Sequence, residues 1–332
     1  MGRPMPGSRI AKAAVHVAFC TLIMLSAARA EDPSAYPSHP VRLLAASAPG
    51  GNPDVLARLL GNRLSETLGS AFVVENVPGA GGVLAAKQVA AAKPDGYMLM
   101  LNDSGGVAIN IAMNADANYA IKDFTPITAL ATLPTVLVVK PSVPAHSLDE
   151  FVKLVKSKPG KMSFGSAGAG SIHQLTMVIF AQRAGIEMLH VPYRGGTGLV
   201  NALLTGEIDA GWSGIPNVLS LIRDGKVRAL CISVLKRDET LPEVPTCDEL
   251  GYKGFDVATM LGLQGPAGMP PAIVARLQQA TAKILREPEM TKRMVTLGMQ
   301  LQENGTAQYA QFMKDDLARY TAVIDTLHIG KK

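Results

Sequence analysis

Short apolar runs alternate along this chain with longer stretches in which hydrophobic residues recur every three or four positions. The runs Val41–Ala46, Ala71–Glu75, Tyr97–Asn102, Val136–Lys140, Met162–Gly165, Met188–Val191, Ala210–Trp212, Ala229–Val234 and Leu261–Gly265 predict strands. Helical spacing predicts helices over Asp54–Leu68, Gly82–Ala92, Leu148–Lys158, Ser171–Ala184, Gly196–Leu204, Val218–Asp224, Pro271–Leu285, Glu289–Leu297 and Thr306–Leu327. Such alternation is the mark of an α/β architecture with largely parallel sheets, and no internal repeat or low-complexity tract interrupts it.

The first of these helices shows how local chemistry places a turn. Asn52 suits the capping position, Pro53 the first helical position and Asp54 the first turn, where negative charge is favoured. Val55, Leu56, Leu59, Leu60, Leu64 and Leu68 then form an apolar stripe, and Gly69 stops the helix. Gly50-Gly51 therefore lies between a strand's carboxyl end and a helix's amino end, where open α/β sheets bind ligands. Phe164-Gly165-Ser166-Ala167-Gly168-Ala169-Gly170-Ser171 repeats that chemistry after a second strand. Glycine lets backbone approach a ligand closely, and the unpaired amides and dipole of a helix start favour an anion. Either segment by itself also reads as an ordinary strand-to-helix turn; two together favour a binding role. Asn102-Asp103-Ser104-Gly105-Gly106 and His190-Val191-Pro192-Tyr193-Arg194-Gly195-Gly196 are two further candidate loops. In the last, Arg194 suits a carboxylate or plain solvent, and Tyr193 a hydroxyl contact or rim packing.

Charge changes the picture once the first 30 residues are set apart. They carry Arg3, Arg9, Lys12 and Arg29, no acids, an apolar block from Ala13 to about Ala27 and a closing Ala28-Arg29-Ala30. That layout predicts a secretory signal peptide, cleaved after Ala30, with export to the periplasm. Of 32 Lys+Arg and 27 Asp+Glu, those four basic residues belong to the leader, leaving 28 against 27. The remaining chain is nearly neutral with no Lys/Arg-rich cluster, so nucleic acid is not an expected partner. No later apolar run approaches the roughly 20 residues a membrane helix needs. After cleavage only Cys231 and Cys247 remain. One sits in the apolar run RALCISV and the other in a proline-bounded loop, which favours two separate thiols over a disulfide.

Enzyme signatures are scarce. Neither a G-x-S-x-G elbow nor a G-x-x-x-x-G-K-[ST] loop occurs, and Gly79-Ala80-Gly81-Gly82 is half a dinucleotide fingerprint with Leu84 at the third glycine position. The histidines are scattered. His173 reads as a surface residue on a first helical turn, although it could also be argued as a base beside Ser171. No metal spacing and no cofactor are expected. Met98, Met100, Met162, Met177 and Met188 read as core filler.

YPSHPVRLLAASAPGGNPDVLARLL, VVENVPGAGGVLAAKQVAAAKPDGYMLML, LVVKPSVPA, FGSAGAGS, HVPYRGG, LLTGEIDAG, LPEVPTCDELG and GLQGPAGMPPAIVARL occur in that order from Tyr36 to Ile329. Together they resemble the Bug-type (Bordetella uptake gene) receptors, the extracytoplasmic solute-binding components of tripartite tricarboxylate transporters. The resemblance implies a type II periplasmic binding fold, with two doubly wound α/β domains joined by a two-crossing hinge. The crossings are expected near Ala131–Val136 and Asp256–Leu263, giving a first domain of residues 31–133 plus 257–332 and a second of 134–256. It further implies a non-catalytic, monomeric receptor that closes on a small organic carboxylate and hands it to a two-component membrane permease. The rival expectations are an exported hydrolase or isomerase using Asp54, His173 or Asp209, and a receptor that reports to a membrane sensor.

Carried onto this chain, the implied first-domain contacts are Ala48, Pro49, Gly50, Gly51 and Asp54, with Ser104 and Gly105. An Asp54–Arg58 pair at the helix start explains Asp54 equally well. The second domain would contribute Ser166, Ala167, Gly168, Ser171, Tyr193, Arg194 and Gly195, with Asp209 and Ser213 as additions. Ala48-Pro49 stands where the family often has two prolines. Gln174-Leu175 stands where it has His-Leu, with His173 one place early. One residue of helix turns a side chain by about 100 degrees, so His173 does not inherit that histidine's role.

Overall fold

The computed structural model describes residues 35–47, 49–78, 82–113, 117–193, 195–302 and 305–327. The chain divides into two units, Met1–Tyr36 and Pro37–Lys332, and every element below belongs to the second. Strand β1 (Val41–Ala45) leads to α1 (Asn52–Leu68), β2 (Phe72–Asn76), α2 (Val83–Ala90), β3 (Met98–Asp103), α3 (Ser104–Met113), β4 (Phe124–Leu133) and β5 (Thr135–Val139). Then come α4 (Leu148–Ser157), β6 (Ser163–Ser166), α5 (Ile172–Ala184), β7 (Leu189–Pro192), α6 (Gly195–Thr205), β8 (Ala210–Gly214), α7 (Ile215–Arg223) and β9 (Arg228–Ile232). The chain continues through β10 (Thr259–Pro266), α8 (Pro271–Leu285), α9 (Pro288–Thr296), β11 (Gln300–Leu301) and α10 (Thr306–Leu327).

Among the described residues these strands form two sheets, ordered β2-β1-β3-β10-β4-β11 and β7-β6-β8-β5-β9. In the first, β1 runs parallel to β2 and β3, while β10 lies antiparallel between β3 and β4. In the second, β6 runs parallel to β7 and β8, while β5 lies antiparallel between β8 and β9. The sheets are thus mixed rather than largely parallel. They also repeat one plan: second strand, first, third, then a reversed strand drawn from the far side of the chain, then the fourth. No repeat is visible in the amino-acid sequence, because the repeat lies in topology.

A single residue, Pro134, separates β4 in one sheet from β5 in the other. The return passage lies between β9 and β10 and is laced to the outgoing one. Ser233 Oγ accepts from the amide of Thr135 at 3.1 Å and lies 3.0 Å from its hydroxyl, and the amide of Val257 donates to the Ser233 carbonyl at 2.7 Å.

Both faces of each sheet are covered, as strands buried on two sides require. Trp212, Phe151, Phe180 and Phe255 fill one side of the second sheet, with Phe180 edge-on to Trp212 at 6.0 Å. Leu199, Ile215, Val218 and Ile232 fill the other. Leu44, Val83, Val89 and Met100 pack under the first sheet. Each such side chain contributes roughly 1.5–3 kcal/mol by leaving water.

The structure corrects the sequence reading at three elements. Ser104-Gly105-Gly106 is the first turn of α3 rather than a loop, with Asp103 Oδ1 accepting from the Gly106 amide at 3.1 Å. First-turn amides have no intrahelical partner, so glycine there costs little. Strand β4, FTPITALATL, was not foreseen because Pro126 and three threonines mask a run whose last seven residues are all buried. Cys231 and Cys247 are joined in a disulfide, against the expectation of separate thiols. The proline-bounded segment lies alongside β9, with the Ile232 amide on the Pro245 carbonyl and the Cys247 amide on the Ile232 carbonyl, each at 2.9 Å. That brings the two Cα atoms to 5.3 Å, within disulfide reach.

Candidate functional site

The first glycine turn leaves the carboxyl end of β1. Gly50 takes φ +82°, a left-handed conformation that favours glycine, and Gly51 follows with φ −70° and ψ 158° as the residue capping α1. The cap is therefore Gly51 and not Asn52, and no side chain bonds to the helix start. The Gly50 amide donates to Asp54 Oδ2 at 2.8 Å. Asp54 Oδ1 accepts from Asn76 Nδ2, at the end of β2, at 2.8 Å and pairs with Arg58 Nε at 2.9 Å. Burial alone would raise the Asp54 carboxyl, but the bonds from Gly50, Asn76 and Arg58 overcome it and hold it below the usual carboxylate range. Asp54 thus braces the turn from beneath, while Pro49 and Gly50 stand exposed. Ala48 lies outside the described residues. Gly82, opening α2, sits so close to Asn102 Oδ1 and Ala46 that an added Cβ would lie 3.3 and 3.5 Å from them.

The second glycine turn leaves the carboxyl end of β6 with matching dihedrals. Gly170 takes φ +75°, and Ser171 caps α5 with φ −69° and ψ 154°, again without a side-chain bond to the helix start. The Gly170 amide donates to Gln174 Oε1 at 2.7 Å. Gln174 Nε2 lies 3.1 Å from His190 Nδ1, and His190 Nε2 lies 2.7 Å from Ser166 Oγ. The hydroxyls of Ser166 and Ser171 both donate to the Gly168 carbonyl, at 2.9 and 2.7 Å. Burial lowers the His190 imidazole from its ordinary value. The end of β7 is zipped to this turn, since Tyr193 and Gly195 donate their amides to the carbonyls of Ser166 and Ala167 at 3.0 and 3.2 Å. A Cβ at Gly170 would strike the side chain of Met113, so the turn also abuts the end of α3.

Ser166, Ala167, Gly168, Ser171, Gly195 and the Tyr193 backbone therefore come together, with buried Ser213 at the same end of neighbouring β8. Pro49, Gly50, Gly51 and Asp54 gather at the equivalent end of the first sheet, where Ser104 and Gly105 follow adjacent β3. Arg194 lies outside the described residues. The Tyr193 ring packs beside Gly165 and Gly198, and burial, with Glu207 nearby, pushes its hydroxyl up to about 12.

Asp209 is not brought to these turns. It precedes β8 at the amino end of the strands, where it pairs with Lys140 Nζ at 2.8 Å and accepts from the Ser163 amide at 2.8 Å. Burial opposes its charge, but those bonds prevail and its carboxyl stays below the usual range. His173 is not the surface residue the sequence suggested. Its Nδ1 is buried without a hydrogen-bond partner, and burial lowers the imidazole to about 4, although the residue as a whole is only partly buried. Sequence reasoning missed the Gln174–His190 link, whose partners lie 16 residues apart on different elements. Only the position of His190 in HVPYRGG hinted at it. Among the described residues no group of three metal-ligating side chains occurs, and no helix is long and apolar enough to cross a membrane.

A family model described as "Tripartite tricarboxylate transporter family receptor" matches residues 56–329. The "UPF0065 protein in tcbD-tcbE intergenic region" of Pseudomonas sp. (strain P51) is 34% identical over 300 residues, covering 90% of this chain and 89% of its own length. "Protein BugT" of Bordetella pertussis is 31% identical over 291 residues, covering 87% and 89%. Among solved structures, R. palustris Rpa4515 with adipate shares 29% identity at a TM-score of 0.76, covering 89% of this chain and 99% of that one. MatC (Rpa3494) from Rhodopseudomonas palustris with bound malate shares 32% at 0.73, covering 87% and 100%.

Proposed function

The chain belongs to the tripartite tricarboxylate transporter receptor family, and from that premise we propose that it captures a small organic carboxylate between its two glycine turns and delivers it to a membrane permease. The observation that carries this reading is the matched geometry of the two turns: left-handed Gly50 and Gly170, each followed by a helix start that no side chain caps. First-turn amides left uncapped are donors aimed outward, and a carboxylate is their natural acceptor. Adipate and malate in the similar structures fit that chemistry. Pro49 to Gly51 and Ser104-Gly105 would grip the anion from residues 31–133 plus 257–332, and Ser166 to Ser171, with Gly195 and Ser213, from residues 134–256. The laced passages at Pro134 and Val257 would serve as the hinge. Ala48 and Arg194 complete the proposed contacts, Asp54 acts beneath them as a brace, and Asp209 drops out. Neutral hydrogen bonds contribute roughly 0.5–1.5 kcal/mol net each, so several must act together. The chain acts as a monomer in the periplasm, after removal of residues 1–30.

One observation favours catalysis instead: Ser166 Oγ and His190 Nε2 lie 2.7 Å apart, as in a nucleophile–base pair. The surroundings argue against it. The Gln174 oxygen is committed to Gly170, so its NH2 faces Nδ1 and puts the imidazole hydrogen on Nε2. A base must present an unprotonated Nε2 to the hydroxyl, so this tautomer is the wrong one. Gly51→Asp tests the binding reading, because it sets a negative side chain in the first turn at φ −70°, where no backbone strain arises. Calorimetric titration with malate and adipate is expected to show binding to the native chain, with the ligand recovered unchanged, and none to the variant. Full affinity in Gly51→Asp would remove the first turn from the site.

A further inference from the structure

The hydrogen bonds beneath the second turn run in one direction only. The Gly170 amide can only donate, so the Gln174 oxygen must face it at 2.7 Å, which turns the Gln174 NH2 toward His190 Nδ1 at 3.1 Å. Nδ1 must then accept, and the ring hydrogen resides on Nε2, 2.7 Å from Ser166 Oγ. Ser166 Oγ accepts that hydrogen and the Gly168 amide at 3.2 Å, and passes its own hydrogen to the Gly168 carbonyl at 2.9 Å. Every group is satisfied in this single arrangement.

An imidazolium carries a hydrogen on both nitrogens, so its Nδ1–H would meet the Gln174 NH2 head on. Turning the Gln174 amide over moves the collision to Gly170, whose N–H would then face the NH2. The conflict can be relocated but not removed. Phe164 of β6 stacks on the ring at 4.9 Å and offers an added charge no counter-ion. From α5 the facing residue is Gln174; the titratable His173 precedes it on the helix, and Arg183 stands in that helix's last turn. On β7 itself the neighbours Leu189 and Val191 are uncharged. Among the described residues no charged side chain is bonded to His190.

From this geometry we propose that His190 and Gln174 are positioning residues, which hold the Gly168–Ser171 turn in the shape that leads into the uncapped start of α5 only while the imidazole is neutral, so that carboxylate capture weakens on acidification. This rests on the reading of the second turn as a ligand contact. If only the neutral form captures ligand, the apparent Kd rises toward tenfold per pH unit once the imidazole midpoint is passed.

Nitrogen-15 NMR of the full mature chain without ligand tests the device from pH 8 to 4.5. The His190 ring is expected as the Nε2–H tautomer at neutral pH, with the Gly170 amide shift following the imidazole's midpoint. In Gln174→Glu a carboxylate accepts from both Gly170 and an Nδ1–H, so the His190 midpoint is expected to rise above that of the native chain. An Nδ1–H tautomer, or a Gly170 amide indifferent to the imidazole, overturns the proposal even if the variant fails to fold. Calorimetry with malate and adipate at pH 7.5 and at one pH unit below the midpoint found by NMR gives the second readout. The expected result is severalfold weaker binding at the lower pH in the native chain and a flattened or reversed trend in Gln174→Glu. Equal native affinities at the two pH values overturn the coupling. Binding of neither acid at either pH counts against the ligand class proposed above, and the NMR result then decides the role of His190 alone.

Discussion

The two glycine turns are built on one backbone pattern and braced by opposite chemistry. Each places a left-handed glycine before an uncapped helix, and each gives that glycine's amide to a side chain four residues on, Asp54 or Gln174. Each brace is held by the second strand of its own sheet, Asn76 on β2 or His190 on β7. The first brace is an ion with a lowered pKa, so its contribution is present above the ordinary carboxylate pKa and is lost only as pH falls through the lower folded value. The second is neutral and holds only while an imidazole, lowered from its ordinary value by burial, stays uncharged. One scaffold thus carries a turn braced by an ion and another braced by a neutral, titratable pair.

Removing the charged brace should have the largest effect. Asp54→Ala strands the Gly50 amide, Asn76 and Arg58, and is expected to cost about 3 kcal/mol in urea unfolding, moderated because Arg58 is half exposed. Gln174→Leu strands neutral partners only and should cost about 1–2 kcal/mol. Equal losses would mean that charge does not distinguish the two turns. Replacing Cys231 and Cys247 together by alanine opens a loop with a sequence separation of 16 residues, expected to cost about 3 kcal/mol. Hydrogen exchange should show the loss in strands of the second sheet and spare those of the first; uniform loss would show that the sheets do not differ in this respect. A change that appears only in acid concerns His173. Its imidazole is lowered to about 4, so the stability it contributes is present above the unfolded value near 6.5 and declines as pH falls through 4. A decline of about 2–3 kcal/mol is expected, reduced in His173→Phe, and parallel pH curves for the two proteins would refute it.

Where one segment carried the whole signal, sequence and structure agree. Pro-Gly-Gly followed by Asn-Pro-Asp and a leucine stripe marks β1, the first turn and α1 within one residue or two. The Asp54–Arg58 pair was equally legible, because both partners sit on one helix face. Elements defined by distant partners were not. Strand β4 is buried by neighbours on both sides, so it lacks the alternation that advertises a half-exposed strand. The disulfide depends on the segment before Cys247 lying beside β9, and the neutral brace depends on β7 lying beside β6. Asp209 shared a motif with Ser213, yet a strand separates its two ends in space, and only Ser213 reaches the turns.

Strand β10 occupies the middle of the first sheet, between β3 and β4, yet it is made only after the whole of the second sheet. Until Pro266 has emerged from the ribosome, β3 and β4 have no partner to join them, and the amino-terminal half has no finished core to collapse onto. An early layer is thus completed late, and its closure rests on a strand that the carboxyl-terminal third of the chain supplies.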